Sequence, residues 1–381
     1  MPSSSIVSPE DQTVAFVELF FDLVFVFSVT QVVSFFHHGV SWSTAGSAVL
    51  VFWLVWWAWT QFTWALNAAN TDHQHIQIAM LLATAIAFFM AIAVPDAFGN
   101  KALWFAIPYV MVRLVGLHVY TKVTVTNERQ HEGVRLFALA SIGGLMAVVI
   151  GAVMGGPTQY WLWGLAILLD ALAAQVAGKS DSWNLHPEHF VERHGLIVII
   201  ALGESLIVAA AGLVGSDLTV TLLTVGLLAV MITCALWWSY FPYVKPLLES
   251  GLIRTEASEE GPMARDAFSF GHFPLLCGII AISSAIEVAV LDPTAPLPLE
   301  VRVAMASGLF LFTVAAAYAQ WRTVGLLPKM RLFVIVVTGA AIVLVAGMLP
   351  WVTLLIAFVG VTGVVIVEYV KCRPMVEHMI G

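Results

Sequence analysis

The chain has 381 residues, of which 60% are hydrophobic and 10% charged; soluble globular domains carry about 25% charged residues. That deficit excludes a water-solvated globular protein and leaves lipid to cover most of the surface. The formal net charge of -8 counts acids that lie inside apolar runs, and with no basic tail or patch it gives no support to a nucleic-acid partner.

Residues 1–15 contain Ser and Pro but no Lys or Arg, and are predicted to be a disordered cytoplasmic N-terminus with no cleavable signal after it. Apolar runs then recur at roughly the 17–25 residues a helix needs to cross a bilayer. Twelve are predicted, at about 16–36, 44–66, 75–94, 102–121, 134–154, 159–177, 191–213, 218–240, 267–290, 301–321, 332–348 and 351–371. The first, FVELFFDLVFVFSVTQVV, carries Glu18 and Asp22. Four residues apart on a helix, they share one face and are separated by about 6 Å along the axis. The second contains WLVWWAWTQFTW, whose rings read as packing plus an aromatic belt or, more sharply, as a cation–π wall. Its Thr60, Gln61, Thr63 and Asn67 form a polar face expected to line a cavity toward the outer side, with Asp72, His73 and Gln74 at the mouth. The stretch 241–266, with ESGLIRTEASEEGPMARD, reads as a long cytoplasmic loop with room for an amphipathic piece. Only Pro350 and its neighbours divide the last two runs, which fit two spans or a re-entrant hairpin. Cys234, Cys277 and Cys372 are scattered and form no disulfide framework.

Lys and Arg set the orientation. Twelve of the 16 follow even-numbered runs, Lys101 and Arg302 lie on the other face, and Arg113 and Arg193 lie in or at the edge of helices. Both termini are therefore predicted to be cytoplasmic. The seventh run opens FVERHGLIVII where the first opens FVELFFDLVFV. Downstream, Trp56–Trp57 recurs as Trp237–Trp238, His75 with Asp96 as His272 with Asp292, and GLAILLD ending at Asp170 as GVVIVE ending at Glu368. The predicted fold class is an all-α integral membrane protein of about twelve transmembrane helices, a 6+6 parallel internal repeat with its pseudo-twofold along the membrane normal. The first repeat covers 16–178, a cytoplasmic linker 179–190, the second repeat 191–371 and a cytoplasmic tail 372–381. Chance likeness between bilayer-length runs is the alternative. The repeat makes Glu18 and Glu192 equivalent.

Three stretches, VELFFDLVFVFSVTQ at 17–31, ERHGLIVIIALGES at 192–205 and FGHFPLLCGIIAISSAIE at 270–287, resemble the signature segments of the bacterial low temperature requirement A family. The resemblance extends over about residues 15–371. It implies a polytopic protein of the bacterial inner membrane. It implies no reaction and brings no catalytic residues, since the family name reports a cold-growth phenotype.

Inside or at the rims of the predicted helices, Glu18, Asp22, Asp170, Glu192, Glu204 and Glu287 face two fixed cations, Arg113 and Arg193. Full ionisation would leave about four uncompensated negative charges in a low dielectric. Some acids must therefore be protonated, bind a cation or sit in water, as in proton relays and coupled transporters. Glu18 and Glu192, in first turns, also suit the helix dipole. Asp22 lies deeper, and Glu204 lies about 18 Å beyond Glu192. Gly203, beside Glu204, is expected to let a neighbouring helix approach. Arg113 is expected to pair with Asp22 or Glu18. His194 and His272 open the seventh and ninth helices; with Asp22 they form a weak candidate metal trio, against the plainer role of hydrogen-bonded helix ends. No cofactor is predicted, and a bound metal or haem is left open.

The favoured reading is a proton-coupled secondary transporter of an unknown small solute. Its partners would be the bilayer, protons and that solute, with a homodimer admitted. The alternatives are a proton or cation channel, a structural or cold-adaptation protein, and a metal- or haem-binding membrane protein. An enzyme is disfavoured by the lack of a soluble catalytic domain or compact nucleophile motif.

Overall fold

The structure is a computed structural model that describes residues 5–8, 12–36, 39–125, 127–177 and 185–371. Every predicted apolar run forms a helix: α1 (Phe16–Val33), α2 (Trp42–Asn67), α3 (Gln74–Ala93), α4 (Ala102–Val123), α5 (Glu128–Met154), α6 (Gly156–Ala177), α7 (Pro187–Leu213) and α8 (Val220–Ser239). Two short helices follow, α9 (Lys245–Ile253) and α10 (Ala257–Ala264), then α11 (His272–Leu291), α12 (Leu299–Val324), α13 (Lys329–Leu344) and α14 (Pro350–Lys371). Among the described residues the only extended pairing is an isolated antiparallel bridge between Val7 and Ala69.

Among the described residues, ten helical stretches are long and apolar enough to cross a bilayer. The final pair is unequal. α14 has 22 residues and α13 has 16, and 16 residues rise only about 24 Å against a hydrocarbon core of about 30 Å. Local chemistry fixes several ends. Glu18, in the first turn of α1, reaches back to accept the Ala15 N–H at 2.9 Å, so one orphan donor of the helix start is satisfied. The Thr219 hydroxyl accepts from the Leu222 N–H to open α8. Gly325, at φ 70°, closes α12 in the left-handed conformation that glycine adopts without strain.

Two expectations need correction. The stretch 241–266 is mostly helical. α8 runs through a π-helical segment, Tyr240–Val244, into α9, and α10 runs through a second, Arg265–Phe270, before α11. Pro246 stands in the first turn of α9, directly after the π-helical segment. The N-terminal segment is tied down where it is described. Ser8 N–H donates to Ala68 O at 3.1 Å, Asn70 N–H to Ile6 O at 2.9 Å and Gln12 Nε2 to Leu66 O at 3.0 Å, so the disorder expected through residue 15 does not hold for these positions. Residues 1–4 and 9–11, most of the 179–190 linker and the tail 372–381 lie outside the described residues.

The chain divides into two compact units. The first comprises Met1–Phe35, Trp42–Arg193 and Thr255–Arg265; the second comprises Phe36–Ser41, His194–Arg254 and Asp266–Gly381. In the first unit α1 packs on α2 and α3, α2 on α4, and α5 on both α4 and α6. α1 shows how a helix in lipid is oriented: Phe16, Phe20 and Leu23 are exposed, while Glu18, Asp22, Phe25 and Val29 form the buried stripe. In the second unit α11 and α12 lie backbone to backbone. A Cβ at Gly278 would sit 2.6 Å from Gly308 O, and one at Gly308 would sit 2.7 Å from Gly278 O, the close approach that small residues allow between membrane helices. Gly203, expected to play this part, has no neighbour within 4 Å of such a Cβ.

Candidate functional site

The first unit brings two matching pairs face to face. On α1, Glu18 and Asp22 are one turn apart; on α7, His189 and Arg193 are one turn apart, so each pair shares a helix face. Arg193 Nη1 donates to Glu18 Oε1 at 2.5 Å and Nη2 donates to Asp22 Oδ1 at 2.8 Å. His189 Nε2 lies 3.1 Å from Glu18 Oε2. From α2, Trp59 Nε1 donates to Asp22 Oδ1 at 2.8 Å, and its ring lies 5.7 Å from the Arg193 guanidinium carbon. That ring therefore contributes a cation–π contact as well as a hydrogen bond. All five side chains are buried.

A second buried pair in the same unit has a different character. Arg113 on α4 holds Asp170 on α6 through two parallel bonds, Nη1 to Oδ2 and Nη2 to Oδ1, each 2.9 Å. Nη1 also donates to Tyr109 Oη at 2.7 Å and Nη2 to Ser141 Oγ at 3.3 Å, while Nε donates to Gln61 Oε1. A guanidinium has five N–H donors, and here every one is used. Gln61 returns a bond to the Arg113 carbonyl at 2.9 Å. Gly116 makes room for it, since a Cβ there would meet the Gln61 amide at 2.7 Å. The result is a neutral, saturated clamp across α2, α4, α5 and α6. The expected pairing of Arg113 with Asp22 or Glu18 is thus corrected: those acids take Arg193.

Arg193 is not saturated. Its Nε and the Oδ2 of Asp22 are buried and make no hydrogen bond among the described residues. Two carboxylates share one guanidinium, so the cluster with both acids ionised carries one negative charge too many.

The other predicted residues are placed as follows. Glu192 is exposed, so the expected equivalence with buried Glu18 does not extend to environment. Glu204 is buried on α7 in the second unit. Beside it Ser205 donates to Ser283 Oγ at 2.7 Å, and Ser283 donates on to Ile279 O at 3.0 Å. Glu287 is half-buried on α11. His194 and His272 pack ring to ring at 5.3 Å. His272 Nδ1 donates to Ala267 O at 3.0 Å and Nε2 accepts from the Tyr240 hydroxyl at 2.7 Å, so both ring nitrogens are engaged. Among the described residues no group of three His, Cys, Asp or Glu is placed to hold a metal ion; Asp22 of the proposed trio is engaged by Arg193 and Trp59.

On the polar face of α2, Asn67 lies at the end where α1 and α7 begin, bonded to the His186 backbone at 2.8 and 3.1 Å. Sequence reasoning missed His189, which stands in the polar lead-in before the apolar part of α7. It also missed Arg331, counted as a loop cation, which is buried on α13 and donates to Glu368 Oε1 at 2.9 Å and Ser239 Oγ at 2.5 Å.

Long apolar helices with lipid-facing phenylalanines and ion pairs turned inward define a multi-pass α-helical membrane protein. The family described as Bacterial low temperature requirement A protein (LtrA) matches residues 13–367, and the chain belongs to it. It is similar to an uncharacterized protein of Rhizobium meliloti (strain 1021), 26% identical over 388 residues, an alignment covering 96% of this chain and 91% of that protein. No solved structure matches the chain at a significant level.

Proposed function

We propose that this protein is a proton-coupled secondary transporter of a small solute, with Glu18, Asp22 and Arg193 as the coupling site. The observation that carries the reading is the contrast between the two arginines of the first unit. Arg113 has all its donors satisfied and one carboxylate to itself. Arg193 is divided between two acids and leaves a buried carboxylate oxygen bare. A saturated neutral pair gains nothing from a proton, whereas a cluster one positive charge short is stabilised by binding one. Intramembrane acids of this kind are the working parts of proton-linked carriers.

A 6+6 repeat, as the sequence suggests, would favour a carrier over a fixed scaffold. Asp170 and Glu368, which the sequence aligns with one another, each hold a buried arginine. The arginines come from α4 and α13, which are not equivalent positions in such a repeat. The bias of Lys and Arg toward one face supports cytoplasmic placement of the ends where α1 and α7 begin, and so of the coupling site.

Proteoliposomes with a lumenal pH dye, challenged with the small-molecule fraction of a bacterial extract, test the reading. Wild-type protein moves protons in response. Asp22→Asn lowers the rate at least tenfold while remaining folded, and Glu192→Gln, on the exposed side of α7, leaves it unchanged. Equal rates for wild type and Asp22→Asn, or no response in the wild type, would count against the proposal.

A further inference from the structure

We infer that the cluster has one exchangeable proton site, at Oδ2 of Asp22, and that Asn67 and His189 together keep Glu18 ionised throughout. The inference deepens the coupling reading and rests on it for its biological role, although its detection does not depend on transport.

The argument begins at Asn67, whose amide orientation is fixed by one backbone. The His186 N–H donates to Asn67 Oδ1 at 2.8 Å, and the His186 carbonyl accepts from Asn67 Nδ2 at 3.1 Å. Nδ2 then presents its second hydrogen to His189 Nδ1 at 3.2 Å. A ring nitrogen that faces an N–H must offer a lone pair, so the proton of His189 sits on Nε2 and points at Glu18 Oε2. The Gln12 amide nitrogen lies 3.5 Å from Nε2, at the outer limit of a hydrogen bond and farther than Glu18 Oε2 at 3.1 Å. A second proton on this imidazole would set N–H against N–H at Nδ1. His189 is therefore a neutral, fixed donor.

Glu18 receives three donors: Arg193 on Oε1, and the Ala15 N–H and His189 on Oε2. Both oxygens are thus engaged, Oε2 by two donors and Oε1 by the guanidinium, so a proton on Glu18 would have to displace or crowd a donor. Asp22 has both its bonds, from Trp59 and Arg193, on Oδ1. Oδ2 makes none among the described residues and is buried. A proton from water or buffer that forms an O–H bond at Oδ2 leaves one carboxylate, Glu18, opposite one guanidinium, and the cluster becomes neutral. Release breaks that O–H bond and returns the proton.

The surroundings favour a proton over a metal ion. Ca²⁺ or Mg²⁺ needs about six oxygen ligands, and the site has one bare oxygen. The charged and titratable groups facing Asp22 are Glu18 on its own helix and Arg193 and His189 on α7. α2 contributes Trp59. α3, also packed on α1, carries only His75, exposed in its first turn, and the 3-10 turn after α3 carries Asp96 at the opposite end of α1.

Infrared difference spectroscopy on the purified full-length protein, recorded between low and high pH, tests the assignment. The expected result is a carbonyl stretch of a protonated buried carboxylic acid that shifts when the protein is made with heavy-carbon aspartate and stays put with heavy-carbon glutamate. Nitrogen-labelled histidine should show one histidine held as the neutral Nε2–H tautomer across the same pH range. That signal should be lost in His189→Gln, whose side-chain amide can still donate to Glu18. A band that follows the glutamate label, or no band at all, overturns the inference. The two claims fail separately. A labelled aspartate band with flux indifferent to Asp22 removes the coupling role and keeps the proton site; flux that needs Asp22 without the band does the reverse.

Discussion

At the scale of single residues, the difference between Arg113 and Arg193 is one of completeness. Removing one partner of a buried pair leaves an unpaired charge and costs about 3–5 kcal/mol, while apolar replacement of both partners is close to neutral. Arg113→Met alone should therefore lower the thermal unfolding midpoint sharply in detergent, and Arg113→Met with Asp170→Leu should recover most of the loss. A single variant as stable as wild type would show that the clamp does not hold these helices. The charged residues themselves were legible in the sequence, because an acid or arginine inside an apolar run is conspicuous wherever it stands. Their pairing was not. Spacing gives depth along a helix but not which helix lies alongside, so the expected partners of Arg113, Asp22 or Glu18, give way to Asp170 on α6. His189 gave no signal, since a histidine in a polar lead-in looks like any helix start; only its four-residue spacing from Arg193, mirroring Glu18 and Asp22, could have marked it.

At the scale of elements, all twelve apolar runs were readable as helices from run length alone, because a bilayer of fixed thickness leaves so little choice of length, although α13 is shorter than a full span. The stretch 241–266 was misread because its prolines and charges outweigh its helical spacing. The π-helical segments at Tyr240–Val244 and Arg265–Phe270 carry the helices past those positions, and His272 links the two segments by accepting from Tyr240 and donating to Ala267 O. Close helix contact was also assigned to the wrong glycine. Gly278 and Gly308 face each other across α11 and α12, while Gly203 faces open space. Gly278→Leu or Gly308→Leu should cost about 1–3 kcal/mol or more through overpacking, seen as a lower unfolding midpoint, whereas Gly203→Ala should leave the midpoint within a degree or two of wild type, since a Cβ there meets no neighbour and substitutions away from packed features change stability by less than about 0.5 kcal/mol. The opposite ranking would contradict the packing of α11 on α12.

At the scale of the whole molecule, the chain is a multi-pass membrane protein of the LtrA family whose first unit holds one saturated clamp and one cluster a positive charge short. The low charge content is visible in the sequence, but the surplus of about four acids expected there shrinks among the described residues, where Glu18, Asp22, Asp170, Glu204 and Glu368 are buried with Arg113, Arg193, Arg302 and Arg331. Where a proton would bind was not legible, because that depends on which oxygen each donor meets. Orientation rests on fewer free cations than a simple count implies, since Arg331 pairs with Glu368 and Arg302 donates to the Val343 carbonyl. The most direct measurement of the central claim uses everted membrane vesicles, in which respiration acidifies the interior. With wild-type protein, adding the small-molecule fraction of a cell extract should partly collapse the pH gradient, and with Asp22→Asn at equal expression the gradient should hold. A gradient that holds in both, or collapses equally in both, would contradict it.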